Sequence, residues 1–207
     1  MAGRKPERTW VLVVVILLAL GLAASVVALD PLRAPVEGVI RVAAMLGYVT
    51  VFLSVLSSNF MRELTRFFGR PFVKVHHVAS LTAVTALLAH AFTVAGRAGT
   101  ARVFVPLLSS VDGFLSQGGR PALLLLAAAV SVAFLRKRVG KRWKTYHWFT
   151  YLAFLLGTIH ALMIGGNFQH LGVRIVSGAM AAAVVLVFVL KRQRRGEALR
   201  RRRRASS

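Results

Sequence analysis

Lys141–Gly165, KRWKTYHWFTYLAFLLGTIHALMIG, opens with a basic, aromatic collar and then runs apolar for most of a bilayer's depth. Within that run the strongly polar side chains are two histidines, His147 near one end and His160 near the other. An imidazole in hydrocarbon is costly unless it has a partner, so an ionisable group inside a membrane marks a functional site by default. Thirteen residues separate the two, about 20 Å along a helix rising 1.5 Å per residue. That spacing puts one near each face of a ~30 Å hydrocarbon core. Val75–His90 repeats the arrangement with His76, His77 and His90. Two helices that each carry a histidine near both faces point to two stacked metal-cofactor sites.

Composition agrees with a membrane bundle. Of the 207 residues 57% are hydrophobic, mean hydropathy is +0.66 and net charge is +22. A soluble domain of this length has no use for so many unbroken apolar runs. The charge therefore belongs to loops and tails. With no cysteine, disulfides, thiolate ligands and a covalent c-type haem are excluded. About six spans with short loops fill the chain, leaving no room for a soluble catalytic domain.

Outward from the histidine stretches, the order is as follows. Residues 1–9 form a basic cytoplasmic segment, and Trp10–Leu29 runs apolar without a charge. It exceeds a signal peptide's usual 7–15-residue apolar region and lacks a clear A-x-A cleavage site, so it reads as a first transmembrane helix. An outer loop follows to residue 38. The remaining spans are expected at Val39–Phe60, Val75–Val94, Pro121–Leu135, Tyr146–Ile164 and Gly172–Leu190. Between Arg62 and Lys74 lies a basic loop. Val103–Ser116, interrupted by Pro106 and Gly113, is too short to span and reads as interfacial or re-entrant. Residues 191–207, KRQRRGEALRRRRRASS, read as a disordered basic cytoplasmic tail.

Orientation follows from the cations. The amino terminus, Arg62–Lys74, Arg136–Lys144 and the tail hold 22 Lys and Arg, against six on the other side. By the positive-inside rule both termini are cytoplasmic. The fold expected is an all-α, six-transmembrane-helix bundle in the cell membrane. Its basic runs sit against anionic lipid, and binding of nucleic acid is not expected.

His76 and His90, fourteen apart, lie roughly 40° from each other around a regular helix, whereas His77 and His90 are about 140° apart. His76 is therefore the inward member and His77 the alternative. His147 and His160 do not share a face of a straight helix. Their pairing requires a kink, a π-bulge or an irregular first turn, with Gly157 one place for it. The four histidines pair by depth, His76 with His147 at the cytoplasmic level and His90 with His160 at the outer level. Neutral imidazole is the usual nitrogen ligand of haem iron, and haem fits between bundle helices. Arg70, Lys74, Arg142 and Lys144 flank the inner histidines and are candidates to meet haem propionates or a flavin phosphate. Trp143, Tyr146 and Trp148 read as an interfacial aromatic belt, and His170 as a solvated histidine of the outer turn. No Asp or Glu lies in the interior of a span. That counts against the competing reading of a small transporter, which usually needs a midplane carboxylate. A non-enzymatic assembly subunit is a further alternative.

The four-histidine pattern resembles the ferric reductase-like transmembrane domain. GKRWKTYHWFTYLAFLLGTIHAL, from Gly140, is particularly similar to the corresponding segment of the MsrQ (YedZ) family, and GRPFVKVHHVASL, from Gly69, fits the basic entry to span three. The similarity covers about Val39–Leu190. It implies one or two b-type haems with His76, His90, His147 and His160 as axial ligands, and FMN as a further candidate cofactor. It also implies oxidoreductase activity as an electron-transfer subunit. Within these residues the flavin and nicotinamide domains of ferric reductases have no counterpart. The expected donor is thus a separate flavin reductase or quinol, and the acceptor an outer-side redox partner such as a periplasmic reductase. His76–His77 stands where MsrQ-like chains often carry Arg-Arg, a departure that favours a two-haem set.

Overall fold

The structure, a computed structural model, describes residues 34–69 and 71–205 together with 17, 21, 28 and 29; at 194, 195 and 198–205 it describes the backbone alone. Apart from those four positions, the expected first transmembrane helix lies outside the described residues, as do segment 1–9 and Arg70. The described residues are helical, with no strand among them.

Helix α1 is Pro35–Asn59, α2 Met61–Phe68, α3 Val73–Ala98, α4 Val111–Ser116, α5 Gly119–Phe134, α6 Phe149–Ile164 and α7 Leu171–Ala205. Single helical turns at Arg136–Val139 and Trp143–Tyr146 lie between α5 and α6. Among the described residues three helices are long and apolar enough to cross a membrane: α1, α3 and the Leu171–Gln193 part of α7. Arg136–Tyr146 with α6 makes a fourth candidate, bent by 53°. Helix α5 is apolar but has 16 residues, about 24 Å of helix against a ~30 Å core. The described part of the chain is all-helical, and its long apolar helices make this a membrane-embedded protein.

Each helix starts where its sequence permits. Pro35 opens α1 at a position where its missing N–H costs nothing. Glu37 in the first turn of α1 pairs with Arg41 at 2.8 Å. The expected basic loop contains α2, in which Met61, Leu64, Thr65 and Phe68 are half-buried and Arg62, Glu63 and Arg66 are exposed. The expected disordered tail is instead a continuation of α7 to Ala205. Lys, Arg, Gln, Ala and Leu are good helix formers. A helix already nucleated by its span propagates through them without the nucleation cost.

Packing centres on α1, a helix without a histidine. Its buried face (Met45, Tyr48, Val49, Val51, Val55) meets α3, α6 and α7. Tyr48 stacks on Phe154 of α6 with ring centroids 5.0 Å apart, a contact worth about 0.5–1.5 kcal/mol beyond the area it buries. Thr158 donates its hydroxyl proton to the Phe154 carbonyl at 2.8 Å, so the 3.2 Å contact with Tyr48 has the tyrosine as donor. Tyr151 of α6 donates to Asn59 Oδ1 at 2.9 Å. Such interhelical hydrogen bonds hold helices together where lipid removes the hydrophobic drive between them.

The helices are arranged as two closely packed pairs, α1 with α3 and α5 with α6. Between α3 and α5 or α6 contact is slight. Only 11% of the apolar window of α3 is buried, against 44% in α1. The slot between the pairs is where the histidines meet.

Candidate haem-ligating histidine pairs

At the level expected to be cytoplasmic, His76 of α3 turns into the bundle and is half-buried, while His77 beside it is exposed next to Val78 and Leu81. The His76 ring faces that of His147, with centroids 6.5 Å apart and planes at 74°. The two imidazoles are thus neighbours across α3 and the turn that leads into α6. His147 reaches that position because the helix is irregular there. Trp148, Thr150 and Tyr151 donate to the carbonyls of Thr145, His147 and Trp148, three residues back. Each such step turns the chain by about 120° instead of 100°. Three of them remove about 60° of the roughly 140° that would separate His147 from His160 on a regular helix. The break lies at His147–Trp148 rather than at Gly157.

At the outer level His90 and His160 line one cavity of about 170 Å³, with Tyr48, Leu126, Phe154 and Gly119 among its walls. Gly119 lets the His160 ring approach α5. A Cβ there would sit 2.9 Å from Nε2 and Cδ2 of that ring.

Backbone carbonyls anchor three of the four rings. His90 Nδ1 lies 3.0 Å from the Ile40 carbonyl, His160 Nδ1 2.6 Å from that of Ser116, and His147 Nδ1 a longer 3.4 Å from that of Ala129. A carbonyl only accepts, so each Nδ1 carries the proton and Nε2 keeps its lone pair. Metal-ligating histidines are held in this way by the groups behind them. His76 differs. Its Nδ1 and Ser54 Oγ are buried and make no hydrogen bond of good geometry. The Ser54 backbone lies beside its ring.

Among the described residues no three His, Asp or Glu side chains converge as metal ligands. The histidines come in twos, which suits a metal that brings its remaining ligands with it, as haem iron does. The rings and their anchored tautomers supply the nitrogen ligands such a group would need. At about 170 Å³ the outer cavity is below the ~300–1,000 Å³ of ordinary ligand pockets. A tetrapyrrole therefore requires the two helix pairs to part, and α3 is the least buried of the long helices.

Lys74, Arg142 and Lys144 are exposed, and none lines the outer cavity. Lys144 lies within electrostatic reach of Lys191, and Lys191 within reach of His147. Nothing in the sequence singled out Lys191 from the basic tail. His170 is half-buried, and its carbonyl accepts from Arg174 N at 3.0 Å in the first turn of α7. Trp143 and Tyr146 belong to the helical turn before the break, and Trp148 packs inward on Phe188 at 5.5 Å.

These features define a helical membrane protein with paired inward histidines at two levels. No protein-family model, no curated protein and no solved structure matches the chain.

Proposed function

We propose that this protein is a haem b electron carrier, moving single electrons from a cytoplasmic flavin reductase or the quinol pool to an acceptor on the outer side. The observation that carries the reading is the pairing itself: His76 faces His147, and His90 shares a cavity with His160. Haem would be held at one level by His76 and His147 and at the other by His90 and His160, and would supply reversible one-electron chemistry there. The chain's own work is to hold, orient and insulate. The carbonyls of Ile40, Ser116 and Ala129 fix three rings, and α1 supplies an apolar wall through Tyr48 and Val51. Lys144 and Lys191 place positive charge at the inner level, suited to a carboxylate edge.

The membrane arrangement proposed is six spans with both termini cytoplasmic. It rests on the basic asymmetry and on the inner ends of α3, α6 and α7 meeting around His147. A reporter fused after Leu190 should be active only in the cytoplasm, and one inserted in Ala98–Gly119 only outside. A tail found outside would reverse the inner and outer assignments.

The inner site is tested by a pair of neighbours. His76→Ala should remove one haem from the purified protein, read as the haem-to-protein ratio, whereas His77→Ala should retain both. Retention by His76→Ala with loss from His77→Ala would contradict the geometry described above.

A further inference from the structure

Between α5 and α6 the chain forms an open cleft of about 510 Å³ lined by Arg136, Lys137, Lys141, Lys144, Gly140 and Trp143. Its four cations belong to two short segments, and Gly140 is the hinge that turns them toward each other. At φ +64° and ψ −147°, Gly140 occupies a backbone region essentially closed to other residues. No acidic residue occurs between Asp112 and Glu197, and no described ion pair engages these cations. Four unpaired positive side chains around one concavity call for an anion.

The surroundings indicate which anion. The two residues before Arg136 are apolar and uncovered, Phe134 at 83% and Leu135 at 46% exposure. Trp143, a residue type favoured at the membrane interface, forms part of the cleft wall. A cationic recess continuous with bare apolar surface matches a molecule with a phosphate at one end and hydrocarbon at the other. Basic pockets on the cytoplasmic side of helical bundles take such headgroups, and arginine and lysine are their natural partners.

We infer that this cleft is a binding site for an anionic phospholipid, its phosphate held by Arg136, Lys137, Lys141 and Lys144 and its acyl chains lying against Phe134 and Leu135. The cleft adjoins the inner histidine pair: Lys144 belongs to both, and the Trp143 ring lies 5.9 Å from that of His147.

The test uses the full chain purified in a neutral detergent and titrated with phosphatidylglycerol. Bound lipid is counted by native mass spectrometry, and thermal stability is followed in parallel. Phosphatidylglycerol should bind and raise the melting temperature, whereas phosphatidylcholine should do neither. Lys137→Gln/Lys141→Gln removes two exposed charges without touching the core and should bind phosphatidylglycerol about 30-fold more weakly. Arg201→Gln/Arg202→Gln, removing the same charge from the tail, should bind like the parent. Gly140→Ala keeps every charge but reshapes the cleft and should also weaken binding. Equal binding of the two lipids, or equal losses from the cleft and tail variants, would overturn the site. Inorganic phosphate that displaced the lipid at millimolar concentration would show that the cleft reads phosphate alone and would overturn the lipid assignment.

Discussion

His160→Ala should strip the outer haem from the protein and leave the inner one in place. His160 is the member of the outer pair whose Nδ1 is held most closely, against the Ser116 carbonyl at 2.6 Å. Without its imidazole the outer iron keeps at most one protein ligand, His90, and becomes five-coordinate or is lost. His147 of the inner pair is thirteen residues before His160, across the break that precedes α6, a span of about 20 Å at helical rise. Sites so far apart with no shared partner respond independently. The helix should stay inserted, because alanine makes it more apolar. In reconstituted vesicles a cytoplasmic-side donor should still reduce the remaining haem. An acceptor confined to the outer side should no longer be reduced at an appreciable rate. Unchanged haem content and unchanged transmembrane electron flow together would sink the two-site relay.

Gly119→Val should damage the same site without altering a ligand. A Cβ at position 119 would lie 2.9 Å from Nε2 of His160, the nitrogen whose lone pair the Ser116 contact leaves for a metal. Valine places its branch there, so the ring must swing away or the substituent must cover the ligating atom. Forcing extra carbons into a packed site costs about 1–3 kcal/mol, equivalent to roughly a tenfold to hundredfold loss of haem affinity at the outer site. The inner haem should be retained and the protein should still fold, since Gly119 lies at the first residue of α5. Full outer-site occupancy in this variant would show that the His160 ring does not use the face turned toward α5.

Much of the fold was legible because hydrocarbon imposes long apolar runs. The expected span Val75–Val94 became α3, Val73–Ala98, and Val39–Phe60 became α1, Pro35–Asn59. The inward turn of His76 rather than His77 also follows from its fourteen-residue spacing to His90. What the sequence hid has specific causes. The carbonyls of Ile40, Ser116 and Ala129 are backbone atoms, which any residue type supplies, so no residue pattern marks them. The need for irregular helix before His160 was visible in the angles. Its position was not, because the break at His147–Trp148 contains neither Gly nor Pro, and overwound hydrogen bonds leave no signature in composition. Helix α1 drew no attention because its importance lies in packing, through Tyr48, Val51 and Val55, rather than in titratable groups. The tail is helical where a disordered segment was expected because the span before it nucleates the helix. Lys191 was hidden among nine basic residues, and only the position of α7 beside His147 separates it from the others.

The most direct test of the central claim is the absorption and electron paramagnetic resonance spectrum of the purified full chain, with haem quantified per polypeptide. Two haems per chain, both low-spin in the ferric state with two nitrogen axial ligands, are the predicted result. Protein purified folded from haem-replete cells without haem, or with high-spin iron open at one axial position, would contradict it.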